Sequence, residues 1–194
     1  MPDAATWVQL PAVAGASLGG YLLGSIPFAR LVAGREGVDP LRAGEHNPGA
    51  ANVWRLLGPR AGAAVLALDI AKGAAAALLG LALGGWWTAS AGLVAAMAGH
   101  AWPAWSRFRG GRSVSCLIGG GLVLAPLPFA LALLLFGLLF RPAGLWPAAV
   151  VGLVAYPVAF ALLETDRWRL IGIGFAYLLL AIAWTASARR RARR

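Results

Sequence analysis

The chain has 194 residues, of which 60% are hydrophobic and only 12% are charged, and its mean hydropathy is +0.73. It has too few polar side chains to cover a soluble core, so we expect an all-α integral membrane protein with one polytopic domain over residues 1–194. In a soluble protein, a net charge of +10 would suggest nucleic-acid binding. Membrane topology explains it better, because basic loops are retained on the cytoplasmic side, and we expect no nucleic-acid partner.

The first apolar span, residues 7–33, is predicted to be a helix inside a bundle, because its many small residues suit close helix packing. Pro27 is expected to loosen this helix near its end and to leave the hydroxyl of Ser25 facing inward. A serine there is either a functional group or a helix-packing residue that bonds a backbone carbonyl. The sequence leaves both interpretations open.

A polar stretch, residues 44–55, follows the first span. Its content of Gly, Pro and Asn predicts a structured loop between apolar spans rather than an ordinary helix. Short residues such as Gly49 let a ligand approach the backbone, and N–H groups in such a loop can converge on an anion. The alternative is a polar linker rich in turns. Further donors nearby are Arg42, Asn47, Asn52 and Arg55.

The second span, residues 61–84, carries two charged residues within an apolar helix. Asp69 and Lys72 are three residues apart and therefore lie on one helical face. Charges at this depth are costly unless they are paired or face a polar cavity. They form either a self-compensating ion pair near the interface or a polar wall of a site. The sequence favours neither interpretation over the other.

A third span runs from Trp86 to about His100, and a basic loop over residues 101–113 follows it. The arginines of this loop, with Gly110 and Gly111 between them, suit an anionic group, although an ordinary cytoplasmic loop would look similar. The arginines are Arg107, Arg109 and Arg112.

His46 and His100 are the only two histidines, and the seven acidic residues are scattered, so no metal site is expected. His100 is either a proton acceptor or a residue that caps a helix end. No Asp or Glu is evidently placed to orient His100 toward Ser25, so the pattern does not predict a Ser-His-Asp triad.

The second half of the chain contains the apolar runs 113–140, 144–163 and 170–187. The first run is broken by Pro126 and Pro128 and forms either one kinked helix or two short ones. Charge decides the number of helices. Seven helices with the N-terminus outside place most of the 17 basic residues in the cytoplasm, whereas six would put the terminal arginines outside, against the positive-inside rule.

We therefore predict seven transmembrane helices, of which the fourth and fifth are shorter than the roughly 20 residues that cross a bilayer unaided. The C-terminus and a basic tail over residues 188–194 then lie in the cytoplasm. This topology brings Ser25, the polar stretch 44–55, His100 and the basic loop to one membrane face, where they can form one site.

The order and spacing of these motifs over roughly residues 15–115 resemble the bacterial acyl-phosphate:glycerol-3-phosphate acyltransferase (PlsY) family. Each motif alone is weak, but the set is specific. The motifs that carry the resemblance are Gly24-Ser25-Ile26-Pro27-Phe28, Asn47-Pro48-Gly49-Ala50-Ala51-Asn52-Val53 with Arg55 and Gly58, Asp69 with Lys72-Gly73, Gly99-His100 with Pro103, and Phe108-Arg109-Gly110-Gly111-Arg112.

The resemblance implies transfer of a fatty acyl group from acyl phosphate to the 1-hydroxyl of glycerol 3-phosphate, which gives lysophosphatidic acid and phosphate. It implies a bacterial inner-membrane protein in contact with membrane lipid, an active site facing the cytoplasm, and no metal or other cofactor. A substrate phosphate would take the hydroxyl proton. The implied catalytic residues are Ser25, His100 and Arg112, and the implied substrate-binding residues are Arg42, Asn47, Gly49, Asn52, Lys72 and Arg109.

The chain departs from the family pattern at several positions. Gly-Ser-Gly-Asn is replaced by residues 44–47, with Glu45 and His46, and Gly-Gly-Lys-Gly is replaced by residues 110–113, with Arg112 and Ser113. A terminal motif with His, Asn and Glu is absent from the sequence. An alternative function is therefore a non-catalytic relative that binds an anionic lipid, phosphate or a protein partner. The hypothesis that the chain is a small transporter has less support, because no internal repeat or pair of broken helices is visible in the sequence.

Overall fold

The computed structural model describes residues 4–143, 145–163 and 169–192, and within these ranges every regular element is helical. The longest helix, α4, is broken at Gly84 and Gly85, whose backbone angles are not helical, so it forms a first arm (59–83) and a second arm (86–101). The helices are α1 Ala4–Ser25, α2 Phe28–Gly34, α3 Ala50–Leu57, α4 Pro59–Ala101, α5 Val114–Leu124, α6 Pro126–Ala143, α7 Leu145–Leu163 and α8 Arg169–Ala192, with a short 3₁₀ turn at Ala104–Ser106.

Within the described residues, the predicted apolar runs correspond in chain order to α1 with α2, the two arms of α4, α5 with α6, α7 and α8. By length and composition, Leu10–Gly34 and Pro59–Ser106 are long and apolar enough to cross a membrane, and α5 to α8 contain shorter apolar stretches. The side of the membrane on which each end lies stays a prediction. Residues 1–3, 144, 164–168 and 193–194, which include most of the predicted outer turn and the last two arginines, lie outside the described residues.

Two of the predicted boundaries shift for local reasons, and one open choice is decided. The first span is two helices, because Pro27 lies in the break between α1 and α2 and does not allow a continuous helical ladder. Residues 113–140, which the sequence left as one kinked helix or two short ones, form two helices, as the count of seven requires, since Ala125 precedes Pro126 and has an extended φ of −150°. The last helix continues to Ala192, beyond the predicted end at 187, because Ala and Arg have high helix propensities.

The polar stretch 44–55 is only half a loop, which corrects the prediction from composition. Helix α3 begins at Ala50, directly after the extended Gly49, and continues to Leu57. Tertiary packing stabilises this helix, because Val53 is fully buried against Val65 in a small apolar cluster beneath it.

Small residues let α1, α4 and α5 approach closely, as predicted for the first span. A side-chain carbon on Gly24 would collide with the backbone of Ala96, and one on Gly73 would collide with the backbone of Cys116. Glycine and alanine at such contacts allow helix backbones to meet directly. The end of α1, the end of the second arm of α4 and the start of α5 therefore meet at one end of the bundle.

Candidate active site

The loop before α3 is organised by the side chain of Asn52. Its Nδ2 donates to the carbonyl oxygens of Pro40, Ala43 and Asn47 at 3.0, 3.1 and 3.0 Å, and its Oδ1 accepts a hydrogen bond from the N–H of Glu45 at 2.9 Å. Asn52 is 1% exposed. Both ends of this amide are therefore used inside the protein, and they hold the loop to the first turn of α3.

Glu45 lies between two arginines rather than beside an open anion site. Its carboxylate forms a close ion pair with Arg55 of α3, and its Oε2 is 3.7 Å from Nη2 of Arg112 in the basic loop. The negative charge introduced at this position is thereby neutralised within the protein. The ion pairs also connect the loop before α3 to the basic loop.

A buried ionic cluster joins the two arms of α4. Asp69 and Lys72 are 1% and 4% exposed, and the Lys72 ammonium is 2.8 Å from Asp69 Oδ1 and donates to the Ile26 carbonyl at 3.0 Å. Asp69 Oδ1 is also 3.5 Å from Nδ1 of His100. The sequence did not predict this contact between a carboxylate and His100, which forms because the sharp turn at Gly84 folds the second arm back along the first. The described contacts of Ser25 do not include His100, so the prediction that the three residues form no Ser-His-Asp triad stays a prediction.

Backbone hydrogen bonds hold the basic loop against the end of α4. The N–H groups of Gly110 and Gly111 donate to the carbonyls of Ala101 and His100, and a side-chain carbon on Gly111 would collide with the His100 imidazole. Ser113 has a left-handed φ of 64° and its Oγ donates to the Met97 carbonyl at 2.6 Å. This hydrogen bond stabilises a backbone conformation that non-glycine residues rarely adopt.

Two helix N-termini and a cation form the polar end of a cavity of about 800 Å³. Gly49, Ala50 and Ala51 line it from the start of α3, and Ser113 to Ser115 line it from the start of α5, together with Asn47 and Arg112. First-turn N–H groups have no partner within their own helix and carry a partial positive charge. This end of the cavity therefore suits an anionic group.

The remainder of the same cavity is apolar. It extends between α5, α6, α7 and α8, and its walls are large hydrophobic side chains that include Leu117, Phe129, Leu133, Phe136, Leu153 and Leu180. One cavity thus joins a cationic mouth to a long apolar interior, which suits an amphipathic ligand with an anionic head and an aliphatic tail.

A second, smaller cavity of about 20 Å³ lies on the other side of the buried cluster. Lys72, Arg30 and Arg109 line it, and it has room for about one water molecule. Asp69 and His100 line both cavities. The ionic cluster is therefore the wall that the two spaces share.

Most of the site residues predicted from sequence come together around these cavities. Asn47, Gly49, His100 and Arg112 line the large cavity, and Lys72 and Arg109 line the small one together with His100. The Asn47 Oδ1 atom is buried and has no hydrogen-bond partner among the described residues, as is also true of Asp69 Oδ2. Because Asn47 lines the large cavity and Asp69 lines both, these two oxygens are candidate acceptors for a bound ligand.

Three predicted residues, Ser25, Asn52 and Arg42, are not among the described residues that line either cavity. Ser25 is fully buried at the end of α1, and its Oγ accepts a weak hydrogen bond from the Ala104 N–H at 3.4 Å. Arg42 is 87% exposed, with its Nε 3.7 Å from the Asp39 carboxylate. The functional roles of all three stay predictions.

Sequence reasoning missed three contacts of the site. Asp69 was identified, but its contact with His100 was not, and Glu45 was seen as a disturbing charge rather than a partner of Arg112. Trp184 of α8 was not singled out, although its ring lies 4.4 Å from the guanidinium carbon of Arg112 and lines the large cavity. An aromatic residue near the end of the last apolar run carries no local signal of this contact.

Comparison with known proteins identifies relatives along almost the whole chain. Residues 14–193 match the family model described as glycerol-3-phosphate acyltransferase. The chain is 40% identical over 177 residues to the glycerol-3-phosphate acyltransferase of Desulforamulus reducens, with 88% of this chain and 86% of that protein covered. The corresponding protein of Agrobacterium fabrum is 38% identical over 186 residues, with 92% and 86% covered.

A solved structure shares the fold. The crystal structure of PlsY, an integral membrane glycerol 3-phosphate acyltransferase, in its glycerol 3-phosphate form matches with a TM-score of 0.81 and 26% identity, covering 92% of this chain and 90% of that one. Its lysophosphatidic acid form matches with a TM-score of 0.79 over the same shares. Since the family model, the relatives and the fold all agree over most of its length, this chain belongs to the glycerol-3-phosphate acyltransferase family.

Proposed function

We propose that this protein is a membrane acyltransferase of phospholipid synthesis that moves a fatty acyl group from acyl phosphate to the 1-hydroxyl of glycerol 3-phosphate. The C–O bond to the donor phosphate breaks, the new ester bond forms, and lysophosphatidic acid and phosphate leave. The observation that carries the proposal is the large cavity, which joins a cationic mouth to an apolar interior in a member of this family.

The acyl phosphate would bind with its phosphate at the cationic mouth and its chain in the apolar interior. The first turns of α3 and α5 and the guanidinium of Arg112 surround the phosphate position. Such preorganised donors stabilise the charge that develops on a leaving phosphate. Each methylene that moves from water into the interior contributes about 0.8 kcal/mol, so the interior supplies affinity for a donor that arrives from water, and the polar mouth orients the reacting carbonyl.

The acceptor would bind at the wall shared by the two cavities. Asp69 in this wall and Asn47 on the side of the large cavity offer buried acceptor oxygens for its hydroxyl groups, and Lys72 and Arg109 on the side of the small cavity offer cations for its phosphate. Because the small cavity holds only about one water molecule, this step requires Arg109 and its loop to move outward. Arg42 is an exposed cation on the neighbouring loop that would supply a further contact.

Acyl phosphate is already activated, so the protein needs mainly to position the two reactants and to stabilise charge. His100, fixed next to Asp69, would shape the site where the hydroxyl meets the acyl carbonyl. The donor phosphate would accept the hydroxyl proton as it leaves, which makes a protein base unnecessary. Asn52 would act indirectly by holding the loop, and Ser25 would hydrogen-bond a reacting group only after a local rearrangement of the turn at Ala104–Ser106.

The topology that accompanies this proposal has seven membrane spans in a single domain, the N-terminus outside, and the site, Arg141 and the tail 188–194 in the cytoplasm of a bacterial inner membrane. Reporter fusions test it: a periplasm-active enzyme fused after Gly85 is expected to be active, and one fused after residue 194 inactive. The opposite pattern would refute this orientation.

The activity is tested with the purified protein in lipid nanodiscs, supplied with palmitoyl phosphate and glycerol 3-phosphate and monitored for lysophosphatidic acid. We expect turnover that Arg112→Ala lowers by about 10²-fold or more, as for other groups that stabilise a developing anion. Arg35→Ala removes an exposed arginine at the end of α2 and is the matched control. Absence of product with donors of several chain lengths and with related acceptors would refute the proposal.

A further inference from the structure

Arg112 is contacted from two sides by residues that are far apart in the sequence. The ring of Trp184, in α8, lies 4.4 Å from the guanidinium carbon, and the Glu45 carboxylate, in the loop before α3, is 3.7 Å from Nη2. The Arg112 side chain is 12% exposed, and both Arg112 and Trp184 line the large cavity. The guanidinium is therefore held where the polar mouth meets the apolar interior.

A guanidinium can use these contacts together because it is planar. Its face stacks on an aromatic ring while its edges donate hydrogen bonds, whereas an ammonium group is a single point charge. A ring beside the group restrains its plane, and a carboxylate restrains its rotation within that plane. Arg112, restrained from two sides in this way, lines the large cavity.

The position of Glu45 is itself fixed by other contacts, so its carboxylate can hold the Arg112 guanidinium in place. Its carboxylate contacts Arg55 on α3, and its backbone N–H is bound by the Asn52 side chain. Through these contacts the N-terminal turn of α3, the basic loop and α8 are joined by one side chain, Arg112.

We propose that Glu45 and Trp184 are positioning residues that orient the Arg112 guanidinium toward the phosphate of the acyl donor. This inference rests on the function proposed above and assigns to the two residues a role in donor binding. It has a direct competitor: if Glu45 only occupies Arg112 as a resident anion, the donor phosphate must displace it, and removing the charge would improve donor binding. The two models predict opposite changes in the KM for acyl phosphate.

The sign of that change is measured with Glu45→Gln. We expect the KM for palmitoyl phosphate to rise about threefold to fivefold, while the KM for glycerol 3-phosphate stays within about twofold, because an ion pair between partly exposed side chains is worth up to about 1 kcal/mol. Glu36→Gln removes the same charge from an exposed position of the preceding loop and is expected to change neither constant. A fall in the donor KM of Glu45→Gln would overturn the proposal.

The aromatic contact is measured with two variants of the same position. Trp184→Phe keeps a ring face and is expected to stay within about twofold of the parent KM for donor, whereas Trp184→Leu is expected to raise it about fivefold. Since Trp184 also lines the cavity, the same substitution is repeated with Arg112→Lys. There the effect of Trp184→Leu is expected to disappear, and an undiminished effect would show that the ring acts on the acyl chain instead.

A second measurement needs no turnover and separates failure of this inference from failure of the proposed function. The melting temperatures of Arg112→Lys, Trp184→Leu and the double variant are compared in the same detergent. If the side chains are coupled, the double variant melts above the value expected from adding the two single shifts. Additive shifts would overturn the proposal even in an active enzyme, and non-additive shifts would support the contact even in a chain that transfers no acyl group.

Discussion

Replacing Asn52 by leucine is expected to loosen the loop before α3 while leaving the helices folded. The substitution keeps the number and branching of the side-chain heavy atoms but removes all four hydrogen bonds of the buried amide, three to carbonyl oxygens and one from the N–H of Glu45. Each such bond contributes about 1 kcal/mol net. The conformation of the loop therefore loses up to about 4 kcal/mol of stability relative to open conformations.

The loss is measured by amide hydrogen exchange at Glu45, whose N–H is bound directly by the Asn52 side chain. A loss of about 4 kcal/mol corresponds to exchange up to about 10³-fold faster, provided that this amide exchanges by local opening. Acyl transfer is expected to fall in parallel, because Asn47 and Gly49, which line the cavity mouth, belong to the same loop.

Asn47→Ala is the matched control for this experiment. The Asn47 side-chain oxygen has no partner among the described residues, so its removal is expected to lower turnover without accelerating exchange at Glu45. If Asn52→Leu abolished turnover while Glu45 exchange stayed at the parent rate, Asn52 would act on the substrate directly. The reasoning from the hydrogen-bond network would then be refuted.

Three further perturbations follow from the site. Lys72→Met leaves the Asp69 carboxylate buried without its closest cation and is expected to lower stability by about 3–5 kcal/mol, part of which Asp69→Asn recovers in the double variant, as measured by thermal unfolding in detergent. Gly111→Ala places a methyl group against the imidazole beside it and is expected to cost about 1–3 kcal/mol of stability and to lower turnover. Ala181→Phe narrows the apolar interior and is expected to lower kcat/KM for palmitoyl phosphate about tenfold relative to lauroyl phosphate, which corresponds to about two excluded methylenes.

Each of these predictions has an internal control. Additive effects of Lys72→Met and Asp69→Asn would show that the two charges do not stabilise each other. Gly34→Ala adds a methyl group where no atom lies within 4 Å, and an equal loss there would contradict the argument from contact with His100. Ala130→Phe enlarges an exposed side chain of α6 that does not line the cavity, and it should leave the preference for chain length unchanged.

Much of the helical framework could be predicted because its signals are local. The high apolar content predicts membrane helices, and the breaks fall at Pro27, at Gly84–Gly85 and before Pro126, where the backbone itself disfavours a continuous helix. The motifs that resemble the acyltransferase family also lie in short segments, and the family assignment from them is confirmed.

The composition of one segment misled the prediction. Glycine, proline and asparagine over residues 44–55 indicated a loop, yet Ala50 to Leu57 form a helix. A helix this short is marginal alone, and burial of Val53 against the neighbouring helices stabilises it. Local preference was overridden by tertiary packing.

The sequence by itself thus determined the long apolar helices, the places where the chain interrupts them and the residue types of the site, because these depend on neighbours along the chain. Only the tertiary structure decided which side chains meet: Asp69 with His100, Arg112 with Glu45 and Trp184, and the two helix N-termini at one cavity. Helices that are apolar on nearly every side have no distinct face from which their partners can be read. Their neighbours are chosen by glycine contacts and by the pairing of buried charges, which exist only once the helices have packed.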